Sequence, residues 1–592
     1  MKRCPECSRD YYDDTLLYCL DDGNALLDGP ASRDEPATVI LSEPGAPIVA
    51  GTGFRVGEDK TQPQILTTDQ TAIFPREAEA EPRESLDNSS DRQSLSAHRP
   101  AKPQGNRTKL FMFAGLAALL LVGGFFGYRY FGSNTRQIES IAVMPFVNES
   151  GNADVEYLSD GMTETLIASL SQLPNLNVKA RSSVFRYKGG GIDTRTIGQE
   201  LNVQAILNGR VVQRGQDLIL NVELIDAQTE NVLWTENYSR QMVNLVSLQS
   251  DIARELSQKL KTKLSGADEQ RLAKNYTENS GAYNLYLQGR FYANKRTPKD
   301  SQKAIEYFDQ AIAADPNYAL AFSGLADAYA LLASYGGASP REAMPKAREA
   351  ALKALSLDNT LAEAHAALGI ILTEYDYDFA GAERELKRAI ELNSNYATAH
   401  HQYAQLLSLK FGRHEEAFAE YRRALEIDPL SLIINRHYGE SLFFAGRHDA
   451  GLAQLKKTVE LDANFASVYA GLAVLYQVKG NYAESVEAQA REQELFGNAA
   501  NAALIRESFA MGGWKGFLRV VTEVREPILS PMHNAAAFHA ELGKKDEAFA
   551  ELNKAYENRQ YYIALIRVDP RLDPLRNDPR FQELLRKVGF PE

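Results

Sequence analysis

The segment AQLLSLKFGRHEEAFAEYRRALEIDPLSLIINRH, residues 404–437, is one unit of a repeat that decides the fold. Glycines suited to a turn recur about every 34 residues along this part of the chain, at Gly412, Gly446 and Gly480. Small residues recur with nearly the same step where two helices must approach closely, at Ala404, Gly439 and Ala473. The pattern predicts antiparallel helix pairs that stack, unit upon unit, into a superhelix.

This spacing resembles the tetratricopeptide repeat. It extends over residues 281–560 and predicts roughly seven to eight helix pairs, with a blurred stretch between about residues 498 and 531. Residues 561–592 resemble the tail that often closes such arrays, and we expect this tail to cap the last apolar face. Such repeats offer a concave groove lined by the first helix of each pair. Protein or peptide partners are expected in this groove, where residues such as Tyr286, Tyr403, Asn435 and Tyr469 would face the ligand. A packing role for the tyrosines is the equal alternative.

Two adjacent histidines, His400 and His401, lie in the array. Neighbouring residues of a helix point about 100° apart, so the two rings are not expected to converge on a metal ion. A surface or packing role is the interpretation that the sequence favours.

The segment LFMFAGLAALLLVGGFFG, residues 110–127, carries no charge. As a helix it would cover roughly 27 Å, close to the hydrocarbon thickness of a bilayer. We predict one transmembrane helix over residues 110–131, with aromatic residues at its end.

Basic residues are more frequent before this helix than after it. Five precede it (Arg92, Arg99, Lys102, Arg107 and Lys109) and two follow it (Arg129 and Arg136). The positive-inside rule then predicts a cytoplasmic amino terminus and an extracytoplasmic carboxy-terminal part. With a bacterial cell as the working assumption, the predicted location is the inner membrane.

The chain begins with a cysteine pattern over residues 1–27. Cys4 and Cys7 form one CxxC turn, and Cys19 with Asp22 repeats the spacing with a carboxylate in the fourth place. The pattern resembles the zinc-ribbon heads of bacterial membrane proteins, which implies a structural Zn²⁺ held by these four residues. Asp21 is an alternative fourth ligand, and a degenerate ribbon without metal is the alternative to a zinc site. Residues 28–107 are rich in polar residues and proline without apolar periodicity, and predict a disordered linker.

Residues 138–265 have a mixed α/β pattern. A short apolar strand at Ile141–Phe146 is followed by helical spacing over Met162–Leu173, and three alternating strands begin near Val203, Leu218 and Val232. The segments SIAVMPFVNESGNADVEYLSDGMTETLIASL and IGQELNVQAILNGRVVQRGQDLILNVELIDAQTENVLWTENYSR resemble the FlgO-like, TolB amino-terminal-like domain. That resemblance implies a non-catalytic periplasmic module.

Composition restricts the function further. The net charge of −13 argues against broad nucleic-acid binding, and the region 138–265 contains no histidine to act as a general base. We expect a non-enzymatic single-pass membrane scaffold that binds protein partners and has no catalytic residues. The alternative is a signal-transducing receptor that couples extracytoplasmic binding to the cytoplasmic head, which requires a dimer because one helix transmits poorly alone.

Overall fold

The computed structural model describes residues 138–191, 193–260, 265–334, 336–523 and 535–590, together with three short strands near the amino terminus. The chain divides into two compact units, Met1–Gly105 and Asn106–Glu592.

The first unit contains a small antiparallel sheet in the order β2-β1-β3. Its strands are β1 (Lys2–Arg3), β2 (Asp10–Tyr11) and β3 (Leu27–Asp28). Cys4 and Cys7 fall between β1 and β2 in the sequence, and Cys19 and Asp22 fall between β2 and β3. These four predicted ligands lie outside the described residues.

The predicted linker and the predicted membrane helix 110–131 also lie outside the described residues. Among the helices that the structure does describe, none combines the length and the apolar character needed to cross a bilayer.

The second unit begins with an α/β domain. Its elements in chain order are β4 (Ser140–Val143), β5 (Val147–Asn148), α1 (Glu156–Ser171), β6 (Asn177–Val178), α2 (Arg181–Val184), α3 (Thr194–Leu201), β7 (Ala205–Arg214), β8 (Asp217–Asp226), β9 (Val232–Gln241), α4 (Leu245–Lys259) and α5 (Gly266–Leu272).

The sheet of this domain has the order β6-β4-β7-β8-β9, and β5 also pairs with β7. Strand β4 runs parallel to β6 and β7, whereas β7, β8 and β9 form an antiparallel meander. The β7–β8 turn contains Gly215 at φ 62°, a conformation that glycine adopts without steric cost. Alternate residues of β8, such as Leu218, Leu220 and Val222, are buried, which confirms the α/β domain predicted from the alternating pattern.

A helical array follows the α/β domain. Its helices are α6 (Ser280–Ala293), α7 (Pro298–Ala314), α8 (Ala319–Ser334), α9 (Pro340–Leu357), α10 (Ala362–Ile371), α11 (Phe379–Leu392), α12 (Ala397–Leu406), α13 (His414–Ile427), α14 (Leu432–Phe444), α15 (His448–Leu461), α16 (Ala466–Val478), α17 (Tyr482–Leu495), α18 (Ala499–Glu523), α19 (Ala535–Glu541), α20 (Lys545–Glu557) and α21 (Pro579–Val588). Helices α6 to α17 form regular pairs, and α18 is interrupted at Gly513, where φ is 59°.

In three of the described helix pairs, a large residue of the second helix packs against a glycine of the first, as at Gly439 and Leu455. A Cβ added to Gly289 would lie 2.6 Å from the Phe308 ring, and one added to Gly369 would lie 2.6 Å from Leu386. The turn glycines Gly412, Gly446 and Gly480 all have φ between 68° and 78°, as the end of a helix before a tight turn requires. The predicted helical solenoid is therefore confirmed, and its spacing follows from close helix contact.

Candidate functional site

The predicted groove residues are mostly taken up by contacts inside the chain. Tyr286 packs against the rings of Phe308 and Tyr318, with centroids 5.8 and 5.3 Å away. Tyr403 is buried and its hydroxyl donates to Glu383 at 3.0 Å.

Asn435 is 0% exposed and donates to the Ser431 carbonyl at 2.8 Å. Tyr469 is half-buried and donates to the Ala463 carbonyl at 3.0 Å. The expectation that Tyr286, Tyr403 and Asn435 face a ligand is wrong, because neighbouring helices of the array bury these three side chains.

The ends of the second helices form a ridge along one side of the array. Helices α7, α9, α11, α13 and α15 are each followed directly by an aspartate or asparagine, at Asp315, Asp358, Asn393, Asp428 and Asp462. In four units this side chain accepts the backbone N–H two residues later, at 2.8–3.0 Å.

The unit that ends with α13 and Asp428 lacks this hydrogen bond, and its helix end contacts the α/β domain instead. The backbone N–H of Leu430 donates to the hydroxyl of Ser183 in the α/β domain, at 3.0 Å, rather than to Asp428. Asp428 in turn accepts hydrogen bonds from Ser182 and from Ser183, the latter at 2.6 Å. Burial raises the pKa of Asp428, and the serine hydroxyls oppose that rise. The α/β domain therefore supplies the cap that this unit lacks.

The rest of the ridge also holds the α/β domain. The Asn395 amide donates to the carbonyls of Ser171, Leu173 and Leu176 at 3.0–3.1 Å, which satisfies groups at and beyond the end of α1. The Arg186 guanidinium donates to the Leu461 carbonyl at 2.6 Å, and Lys179 donates to the Glu426 carbonyl at 2.5 Å. Cations are favoured at these carbonyls because helix ends carry partial negative charge.

Glu164 of α1 is the charged centre of the seam between the α/β domain and α6. It accepts from Arg290 Nε at 2.8 Å and from the Asn294 amide at 2.6 Å, and Arg181 Nε lies 3.2 Å away. Its side chain is 12% exposed. The carboxylate thus contacts two half-buried guanidinium groups, one from each side of the seam, and Asp327 lies 3.6 Å from Arg290 as a second acidic partner.

The carboxy-terminal tail lies against the first helices of the middle units. The buried Lys410 donates to the Ala564 carbonyl, and Arg567 donates to the Lys410 carbonyl at 2.7 Å. Burial lowers the pKa of Lys410 to about 7, which the charge of Glu374 opposes. Leu565 and Arg571 line a small apolar cavity with Phe443 and Val474. The tail therefore fills part of the groove in which partners were expected.

His401 and His437 form a buried pair that sequence reasoning missed. His401 Nε2 lies 2.7 Å from His437 Nδ1, and the rings are 5.0 Å apart. Burial, together with the charge of Arg436, lowers the pKa of His401 to about 3, so both rings are neutral at physiological pH. His400 points elsewhere and contacts Glu420 at 2.5 Å. The two rings of the pair are about one repeat apart in sequence, and this spacing is the signal that could have revealed them.

Across the described ranges, no cluster of three or more histidine, cysteine or acidic residues is placed to hold a metal ion.

A polar cleft of about 360 Å³ opens where the α/β domain meets the array. Its lining residues are Glu139, Pro174, Asn175, Asn177, Asn395 and Arg423. Arg423 is fixed by hydrogen bonds to the Ser394 carbonyl at 3.2 Å and to Asn395 at 2.9 Å. The side-chain oxygen of Asn177 is buried and has no hydrogen-bond partner among the described residues. This cleft is the candidate binding site that the packed groove leaves available.

Comparison with family models identifies the repeats and the α/β domain separately. Residues 283–318 and 397–429 match the tetratricopeptide repeat. Residues 136–257 match the second domain of HilA/YgeH-like transcriptional regulators. The array is a tetratricopeptide-repeat solenoid. The resemblance of the α/β domain to the FlgO-like, TolB amino-terminal-like domain stays a prediction.

Several curated relatives match parts of the chain, and two of them represent the range. A putative adenylate cyclase 3 of Rhizobium meliloti (strain 1021) is 31% identical over 237 residues, which are 40% of each chain. The transcriptional regulator HilA of Salmonella typhimurium is 24% identical over 344 residues, which are 57% of this chain and 53% of that protein. The chain thus matches about half or less of the length of these relatives.

Among solved structures, a thermophilic tetratricopeptide-repeat protein of Thermus thermophilus is similar, with a TM-score of 0.28 and 20% identity. The match covers 35% of this chain and 98% of that one. Repeats of this kind form protein–protein interaction scaffolds, and protein or peptide partners are what the repeats suggest.

Replacing Glu164 by Gln tests the seam. The amide removes the charge that pairs with Arg181 and Arg290, and we expect the α/β domain to lose about 2–4 kcal/mol of stability. The two tryptophans report separately, because Trp234 lies in the α/β domain and Trp514 in the array. In W514F, urea unfolding followed by Trp234 fluorescence should shift to lower urea on adding E164Q.

The matched control is Glu149→Gln, since Glu149 pairs with Arg210 at 3.6 Å on the exposed surface. It should change the unfolding free energy by no more than about 0.5 kcal/mol. Equal shifts for the two variants would contradict the role assigned to Glu164.

Proposed function

We propose that this chain is a non-enzymatic, single-pass membrane scaffold whose α/β domain and repeat array bind a protein partner at the cleft between them. The observation that carries the proposal is the polar cleft of about 360 Å³, whose wall includes Asn175, Asn177 and Arg423. A concave site with a few polar groups of fixed position is suited to a ligand that supplies the complementary donors and acceptors.

The chemistry of the cleft suits an extended peptide segment. Asparagine amides offer both a donor and an acceptor, as a peptide backbone does, and Asn175 and Asn177 lie close together in sequence on this wall. Arg423 adds a positive group and Glu139 a negative one. A segment with polar side chains and one acidic residue is the class of ligand that this lining fits.

The relatives favour a second candidate, a signal-transducing receptor. One of them is named a putative adenylate cyclase and another a transcriptional regulator, and both names are regulatory. Neither activity is carried over, because the matches cover 40% and 53% of those proteins. The expectation that this chain binds no nucleic acid follows from its net charge of −13 and is part of the proposal.

We also propose that residues 110–131 anchor the chain in a bacterial inner membrane, with residues 1–27 as a cytoplasmic zinc-binding head. The uncharged run and the basic flank support the anchor, and the spacing of Cys4, Cys7, Cys19 and Asp22 supports the head.

Metal analysis of the purified full chain should give one zinc per chain, which Cys4→Ser removes. Reporter fusions after Arg99 and after Glu592 should report opposite sides of the membrane. A chain without zinc, or two reporters on one side, would overturn the respective part.

Photo-crosslinking in cells tests the binding site. We would place a photoreactive phenylalanine at position 175 of the full chain, and at Lys456 on the exposed side of α15 as the matched control. A discrete adduct is expected from position 175 and not from position 456, and Asn177→Leu together with Arg423→Glu should abolish it. Adducts of the same size from both positions, or none from position 175, would contradict the proposal.

A further inference from the structure

The strand β9 is an open edge of the α/β sheet. It pairs with β8 on one side, and the strand order ends there. Large apolar side chains flank this edge in the open: Leu233 is 47% exposed at its beginning and Val243 is 65% exposed just beyond its end. Long open edges are places where strands of other chains add.

Side-chain contacts show which backbone groups of β9 point outward. The Asn237 N–H donates to the carboxylate of the neighbouring Glu236 at 3.3 Å. The Ser239 carbonyl accepts from the guanidinium of Arg240 at 3.0 Å. Alternate residues of an antiparallel strand turn both of their polar groups to the same side. The odd-numbered residues of β9 therefore present their N–H and C=O groups to the outside, where exposed side chains of the same strand satisfy two of them.

We propose that β9 binds β9 of a second copy of this chain, antiparallel, with Tyr238 opposite its own counterpart at the two-fold axis. Asn237 then lies opposite Ser239 of the second copy, and these outward groups exchange two hydrogen bonds. The pairing places the two sheets edge to edge as one continuous sheet.

Charge selects this register. With Tyr238 at the centre, Glu236 lies opposite Arg240 of the second copy, and the symmetry makes this pair twice. These positions are non-hydrogen-bonded pairs, in which side chains approach most closely. At the ends of the regular pairing, Thr235 lies opposite Gln241 of the second copy.

Neighbouring registers lack this match. Centring the pair on Glu236 places two like charges opposite each other, which is unfavourable. Centring it on Asn237 places Glu236 opposite Tyr238. Centring it on Ser239 places Arg240 opposite Tyr238. The two charged side chains that cover the edge of the single chain become the cross-strand pairs of the dimer.

This interface is independent of the proposed peptide cleft, because β9 lies at the opposite end of the strand order from β6, which carries Asn177. It provides the dimer that the receptor candidate requires.

Charge reversal in the full chain tests the interface. Glu236→Arg or Arg240→Glu alone places like charges opposite each other twice, and should weaken the dimer roughly tenfold or more, as read by sedimentation in detergent. The double variant E236R/R240E exchanges the charges and should restore the dimer. Glu306→Arg, an equal charge change on the exposed side of α7, should have no effect. A wild-type monomer throughout the accessible concentration range, or a dimer that withstands E236R, would overturn the proposal.

Disulfide trapping tests the register itself. In a background with Cys4, Cys7 and Cys19 replaced by Ser, chains with Glu236→Cys are mixed with chains with Arg240→Cys and oxidised. Opposed residues of a non-hydrogen-bonded pair have Cα atoms about 4.5 Å apart, within disulfide reach. We expect crosslinked dimers from the mixture and not from either variant alone. Equal crosslinking of E236C by itself would contradict the register.

Discussion

The ion pairs of the Glu164 carboxylate are the interaction on which the packing of the α/β domain against the repeat array depends. It reaches from α1 into the array, contacts Arg290 and Asn294 of the first repeat, and pairs with Arg181 of its own domain. Together with Asp327, which lies 3.6 Å from Arg290, these side chains form a largely buried cluster of two acidic and two basic groups, and removing one of them leaves an opposite charge without its partner. Next to it, Gly161 allows α1 to approach Leu287 closely, since an added Cβ would lie 3.0 Å from the leucine side chain. Charge and close packing therefore fix the same face of α1 against α6.

The seam also explains how the first end of the array is covered. A stack of helix pairs leaves an apolar face at each end, which must be covered to stay in solution. The α/β domain covers the first face, and one hydrophobic cluster runs from its sheet into the first repeats without a break. The tail covers the inner side of the middle repeats, where Phe581 and Phe590 belong to the same buried cluster as Tyr421. The tail thus occupies part of the groove, and the cleft beside Asn177 lies where the α/β domain meets the array.

The local sequence pattern was enough to predict the helices, strands and turns. It was not enough to predict which side chains contact each other in the folded chain. The step from Gly412 to Gly446 predicts the turns because a helix end that needs positive φ favours glycine wherever it lies. The burial of Asn435 and Tyr403 was not predictable in this way, because it depends on which helix lies opposite. Ser183 is a clear case: nothing in its neighbourhood in the sequence indicates that it caps Leu430, almost 250 residues away. The three carbonyls at and beyond the end of α1 that Asn395 satisfies were likewise not predictable, since they belong to another domain.

The most direct test of this account is the protection of a thiol buried in the seam. Leu287→Cys and, as an exposed control, Glu306→Cys would each be made in the full chain with Cys4, Cys7 and Cys19 replaced by Ser, and the rate of their reaction with a maleimide would be measured. Leu287 is 0% exposed and lies beneath Gly161 of α1, so a thiol at position 287 should react far more slowly than one at position 306. A thiol at position 287 that reacts as fast as the one at position 306 would show that the α/β domain does not rest on the first repeat, and would contradict the account.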